Sequence, residues 1–216
     1  MIRQKITSKQ RELRLAGEMM HIKKILLPFL TLFLLTPTFA VVPKEHKGVC
    51  AGGGLTYNLM TAEWYSLNQN VKDAGGALIE AGYKMGGPIR VGLRYWASSH
   101  SMQSSLFSAN RFLFQGIEGV GQVILLRRKR VRPFFLLGYA ELSLRKNNGE
   151  GYTGFGYSFA VGAEYWLRDH LTLSSEFDVR YVDFTGAQIG TLRFTSGGAV
   201  NATMLSFQFL KLTWQY

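Results

Sequence analysis

Cysteine is nearly missing: Cys50 is the only one in 216 residues, so no internal disulfide can cross-link the chain. A long apolar run is missing as well. The best one, Ile25 to Leu35, is well short of the roughly 20 residues that a helix needs to cross a bilayer, which excludes a retained membrane helix. Histidine is sparse, and His46, His100 and His170 follow no ligand spacing, so no metal centre is expected. No Pro-rich or Lys-rich linker interrupts residues 41–216, which read as one domain. "GEGYTG" (149–154) satisfies the G-x-G-x-x-G pattern but runs into strand alternation instead of a helix. The phosphate-binding geometry is therefore absent, and no cofactor is expected.

What is present begins with an export signal. His21, Lys23 and Lys24 precede the Ile25–Leu35 run, and Thr36-Pro37-Thr38-Phe39-Ala40 follows it, the order of a cleavable signal peptide with Ala40 the last residue removed. Residues 1–19 stand upstream of that signal, which places the start of translation at Met19 or Met20. Residues 1–40 are thus an upstream extension plus signal peptide, and 41–216 the mature domain. The net charge of +11 shrinks accordingly, because residues 41–216 hold 18 Lys/Arg against 12 Asp/Glu, a balance of +6. An exported chain with that balance is not expected to bind nucleic acid. Cys50 reads as a small strand residue, since "HKGVC" lies too far past the apolar run to be a lipoprotein box.

Along the mature chain, segments with period-two alternation recur at approximately 48–58, 75–85, 89–99, 112–126, 133–145, 153–167, 170–184 and 200–216. The connections alternate in length. "MTAEWYSLNQNVKD", "HSMQSSLFSANR", "KNNGEGY" and "GAQIGTLRFTSGG" are long, whereas "GGP", "RRKRVR" and "RD" are short. That rhythm is expected of an all-β, eight-stranded, antiparallel up-and-down transmembrane barrel with short periplasmic turns and longer external loops. In the seventh segment Leu171, Leu173, Phe177, Val179 and Tyr181 share one parity, against Thr172, Ser174, Glu176, Asp178 and Arg180 on the other. A soluble barrel would alternate with its faces exchanged. Three features favour the membrane: aromatics near strand ends on the apolar parity (Tyr57, Tyr83, Tyr95, Tyr165, Tyr181, Trp214, Tyr216), mixed charges with many glycines on the other parity, and the export signal. Ser206 and Gln208 fall on the apolar parity of the eighth segment, which predicts a bulge or an early end there.

"RPFFLLGYAEL" (132–142) and "FAVGAEYWLRDHLTLSSEFDVRYVDF" (159–184) resemble the small eight-stranded outer-membrane barrels, including the opacity proteins and the barrel domain of outer membrane protein A. Tyr181-Val182-Asp183-Phe184 matches the strand-closing element of that family. In "LKLTWQY" the residues Leu210, Leu212, Trp214 and Tyr216 resemble its membrane-insertion signal, which is read by the barrel-assembly machinery. The resemblance implies residence in the bacterial outer membrane, in contact with membrane lipids and lipopolysaccharide. Outer membrane protein A continues into a peptidoglycan-binding domain, and this sequence is expected to lack that tether.

The inward parity is expected to carry Glu80, Lys84, Arg90, Arg94, Glu118, Glu141, Arg145, Glu164, Glu176, Asp178 and Arg180 as a nearly neutral ionic plug, with at most a small gated pore. "RRKRVR" reads as a solvated hairpin end that assists topology or as a contact with anionic headgroups. An eight-stranded barrel can also be a lipid A-modifying enzyme, but His100 and Ser101 point to opposite faces of a strand. His170, Ser174 and Asp178 share a face, yet four residues of strand separate neighbours by roughly 13 Å. The leading expectation is a structural or surface-interaction, adhesin-like role, with a surface ligand held by loops 59–74 and 185–199. Trp64, Tyr65, Leu192, Arg193 and Phe194 supply the aromatic and basic groups there. The alternative is a narrow porin or transporter for small or apolar solutes.

Overall fold

The structure is a computed structural model, which describes residues 47–64, 67–69, 73–101, 111–127, 129–146, 151–189 and 192–216, with residues 61–64, 67–69, 188–189 and 192–200 described by their main chain. The expected signal segment, 1–40, lies outside the described residues. The elements are β1 (Gly48–Trp64), β2 (Leu67–Gln69), β3 (Ala74–Lys84), β4 (Ile89–Ser101), β5 (Arg111–Ile124), β6 (Val131–Arg145), β7 (Gly151–Arg168), β8 (Leu171–Ile189) and β9 (Leu192–Gln215). Each pairs antiparallel with its sequence neighbour, except that β2 folds back on the outer end of β1 and β3 takes the next place in the wall. Pairing of β1 with β9 closes eight wall strands into a barrel, and closure leaves no edge for lipid to meet. Among the described residues no helix is long and apolar enough to cross a membrane; the strands do so.

The ladder fixes the shape. Following partners from Ala51 through Ala81, Leu93, Gly119, Tyr139, Tyr157, Tyr181 and Thr203 returns to β1 at Thr61, a stagger of ten residues (61 − 51). For eight strands that stagger tilts each by about 40°. With the stagger spread evenly, Tyr57, Tyr95, Tyr139, Tyr157 and Tyr181 fall within roughly two residues of one height. Tyr83, Tyr165 and Trp214 mark a second height near the short turns. On β7 the step from Tyr157 to Tyr165 rises about 20 Å along the axis, close to the apolar band of outer-membrane barrels. The two tyrosine levels are therefore the interfacial girdles.

The anticipated irregularity in the last strand is a bulge. Leu55 pairs with Leu210 and Thr56 with Gln208, so Phe209 is the extra residue. Phe209 and Leu210 both face outward, at 52% and 55% exposure, and the parity flips. Ser206 and Gln208 then turn inward on one side of the bulge, and Lys211 and Thr213 on the other.

Strands run further outward than alternation suggests. The segment 59–74 contains the end of β1 and the returning β2, and 185–199 is largely a two-stranded ladder in which Gly186 pairs with Thr195 and Ile189 with Leu192. Above the outer girdle both faces meet polar surroundings, so the apolar signal fades while backbone pairing continues. Tyr65 lies outside the described residues. At the other end the connections are tight: Gly86 takes φ +75°, a conformation glycine adopts without strain, and the Lys129 amide donates to Leu126 O at 2.8 Å.

Candidate functional site

The inward face divides along the barrel axis. Its middle holds a square of alternating charge: Arg94 from β4 bonds Glu176 from β8 at 2.6 Å and Glu80 from β3 at 2.8 Å. Lys211 from β9 reaches the same two carboxylates at 3.7 and 2.9 Å. Toward the outside, Arg180 pairs with Glu118 at 3.2 Å and Asp178 at 2.5 Å and lies 4.5 Å over the Trp96 ring. Ser158 donates a hydrogen bond to Glu118. Gly138 makes this arrangement fit, because a Cβ there would stand only 2.3 Å from Glu118 Oε1 and from Ser158 Oγ.

Toward the periplasm, Glu164 is shared by Arg90 at 3.0 Å and Arg132 at 2.8 Å. Arg132 sits 4.4 Å over the Trp166 ring and Lys84 5.7 Å from its centroid. Isolated buried charges would be strongly unfavourable, and shared carboxylates compensate several cations at once. Arg94 is 1% exposed and Glu118 0%. A water-wide channel past either side chain would leave it accessible, so the lumen is filled at this level.

Nearer the external end the filling changes character. Leu78, Trp96, Phe112, Phe114, Leu142, Leu144, Phe184 and Met204 form one apolar cluster, with Phe114 fully buried. Trp96 meets Phe114 edge-on at 4.8 Å, and Gly116 leaves room for the Trp96 ring, since a Cβ there would approach it to 2.7 Å. A smaller apolar cluster, including Phe134 and Leu136, lines the wall beside the charges.

Glu80, Lys84, Arg90, Arg94, Glu118, Glu164, Glu176, Asp178 and Arg180 all point inward and are buried. Glu141 and Arg145 do not. Both are exposed on the outside of β6, on the parity of Phe135, Leu137 and Tyr139. Glu141 lies at the upper margin of the outer girdle and Arg145 above it, where an outward charge can reach headgroups and water. Arg132 and Lys211 occupy the inward places that sequence reasoning overlooked. Lys211 stands between the outward Leu210 and Leu212, and that parity alone could have found it. Leu210, Leu212, Trp214 and Tyr216 face outward, at 43–73% exposure.

The residues weighed for catalysis are scattered. His100 is fully buried and shares a 2.9 Å hydrogen bond with Ser98, inside the apolar cluster and without access to substrate. His170 lies in the β7–β8 turn, 2.8 Å from Gln215 O and stacked on Trp214, while Ser174 and Asp178 face the lumen. Cys50 is free and buried in the wall. Among the described residues no three His, Cys, Asp or Glu side chains are grouped to hold a metal ion.

Above the girdle the outer wall carries a polar cleft of about 230 Å³ whose lining includes Tyr95, Gln115, Glu141, Ser143, Arg145 and Thr153. Beside it runs a wider apolar groove of about 560 Å³ with Leu55, Gly75, Ala77, Ala97, Ser99 and Leu113 in its lining.

The barrel superposes on solved outer-membrane proteins. Neisserial surface protein A matches with a TM-score of 0.56 and 15% identity over 80% of this chain and all of that one. OprG from Pseudomonas aeruginosa matches with 0.53 and 9% identity over 82% of this chain and all of that one. At those identities the likeness is one of fold. No curated protein sequence matches significantly. The family described as the outer membrane protein beta-barrel domain matches residues 29–209. With its closed wall of eight strands and its two aromatic girdles, the chain belongs to that family and is a small β-barrel of the bacterial outer membrane.

Proposed function

We propose that the barrel is a non-conducting, non-catalytic scaffold whose function is surface interaction, carried by the parts that rise above the outer girdle. The observation that carries this reading is the burial of Arg94 and Glu118 inside a filled lumen. A route for solutes would have to dismantle the charge square and then pass the Phe114 cluster. The wall instead continues outward as paired strands, 62–64 with 67–69 and 186–189 with 192–195. The surface ligand is assigned to the segments 59–74 and 185–199, whose sequence includes the aromatic and basic residues Trp64, Arg193 and Phe194. Leu210, Leu212, Trp214 and Tyr216 present the apolar side of the last strand to the assembly machinery and then to lipid.

Exchanging residues 65–72 and 190–199 for short Gly-Ser linkers tests the reading. Binding to host cells or to lipopolysaccharide should fall, while the heat-modifiable migration of the folded barrel persists. Unchanged binding contradicts a surface role for these segments. A second reading, a narrow transporter for apolar solutes, draws on the apolar character of the external lumen. It requires uptake of an apolar tracer into proteoliposomes that is lost on narrowing that end, for example with Ala140→Phe. The lipid A-modifying reading has no comparable support, because His100 is enclosed.

A further inference from the structure

The outer tyrosine girdle is uneven. Tyr157 and Tyr181 are direct partners across β7 and β8, and at 67% and 61% exposure they stand out from the wall as a ridge. On β3 the same height holds Gly75 and Ala77, which leave a gap. Gly75 is not a packing necessity there, since a Cβ at that position would meet nothing within 4 Å. The bare backbone, with Ala97 and Ser99 of β4, opens the apolar groove of about 560 Å³ between Leu55 and Leu113.

Ridge and groove stand on opposite sides of the barrel. Along the closed wall, in which β3 follows β1, β7 lies four places from β3 and β8 four places from β4, half of an eight-stranded circuit. With the stagger spread evenly, Tyr157 is about one residue higher than Ala77, and Tyr181 about one residue higher than Ala97. The ridge therefore projects at the depth of the groove. Charge follows the same division: the exposed Asp183 stands one outward-facing position above Tyr181, and the exposed Arg111 one above Leu113, at the upper lip of the groove. By the same measure Arg111 is about two residues higher than Asp183, a step that an arginine side chain spans.

We propose that the barrel packs side by side with a second copy of itself, Tyr157 and Tyr181 of one seated in the groove of Gly75, Ala77 and Ala97 of the next, with Arg111 over Asp183. Two copies in one bilayer share its normal and its depth, so the membrane itself brings features of equal height into line. Lipid tails are as apolar as either face, and burial alone therefore gives no drive to associate. What decides is the fit of ridge to groove, with the Arg111–Asp183 pair fixing register more than adding affinity. Because ridge and groove are half a turn apart, each added copy repeats the last without rotation. The contact is thus heterologous and continues as an open row in the membrane plane. It goes beyond the surface role proposed above and is made by wall strands alone.

The test is thiol cross-linking of full-length barrels co-expressed in one outer membrane and told apart by different affinity tags. Cys50 is buried in the wall, so thiols introduced at the surface are those that a short bis-maleimide reaches. Ala77→Cys in the groove and Phe159→Cys, one outward-facing position below Tyr157 on the ridge, should give a mixed dimer, and a chain carrying both should give a ladder of higher species. Arg111→Asp or Asp183→Arg added to every copy should lower the mixed yield about threefold, the loss expected for an exposed ion pair, and the two together should restore it. Gly75→Trp fills the groove without altering charge and should reduce the mixed dimer to background; heat-modifiable migration verifies folding of each variant. Three results would each overturn the proposal. One is a mixed yield no higher than that of Ala77→Cys with Leu93→Cys, a wall position away from the ridge, which would leave the groove to lipid. The others are Ala77→Cys cross-linking to itself as well as to Phe159→Cys, and indifference to Gly75→Trp. The barrel with residues 65–72 and 190–199 exchanged for linkers should cross-link equally, so this contact and the surface-interaction reading fail separately.

Discussion

The middle and the external end of the lumen are filled by opposite means. Around Arg94 the filling is ionic, four charged side chains locked into a square; around Phe114 it is apolar, with rings and aliphatic chains packed edge to face. Both leave their central residue with at most 1% exposure. The difference lies in what each tolerates. An ionic plug fails when one partner is lost, because the remainder is a buried charge, whereas an apolar plug fails in proportion to the volume removed.

Removing charge without its partner should be the most damaging change. Arg94→Ala leaves Glu80 and Glu176 sharing Lys211 alone, and is expected to destabilise the barrel by roughly 3–5 kcal/mol, read as a lowered urea midpoint of the folded band. Arg94→Met with Glu80→Leu removes one charge of each sign and keeps Lys211 near Glu176. Its midpoint should lie close to the wild type, and a loss as large as that of Arg94→Ala would erase the contrast between the plugs.

Crowding the ionic region without altering its charge should matter less. Gly138→Ala forces the Glu118 carboxylate and Ser158 to shift, an expected loss of about 1–3 kcal/mol by the same assay. In the apolar plug, Phe114→Leu keeps most of the volume and should lose about 1 kcal/mol. Glu141→Gln, on the outer wall, should change stability by no more than about 0.5 kcal/mol. A large effect there would place Glu141 in a structural network after all.

How far these regions were legible follows from their alternation. In β8, Thr172 to Arg180 alternates polar with apolar, so Glu176, Asp178 and Arg180 could be turned inward from sequence. In β6, Phe134-Phe135-Leu136-Leu137 is apolar on both parities. The strand therefore gives no face by itself: its alternation offers Glu141 and Arg145 as inward residues, and Arg132 reads as part of the basic turn. The apolar plug was hidden for the same reason: Phe112, Leu113 and Phe114 are consecutive, and only the ladder shows that the middle one faces out. The bulge at Phe209 was visible because Ser206 and Gln208 broke a pattern that Leu210, Leu212 and Trp214 had established. The wall cleft was not visible at all, since it joins residues of β4 to β7 that only the register brings together.

Two plugs in series make a demand that neither makes alone, and single-channel recording in planar bilayers meets it directly. The wild type, Arg94→Ala and Phe114→Ala should each show no steady conductance at neutral pH, because one seal persists in every case. The double variant should conduct. Steady conductance of the wild type, or of either single variant at the level of the double, would contradict a lumen sealed twice.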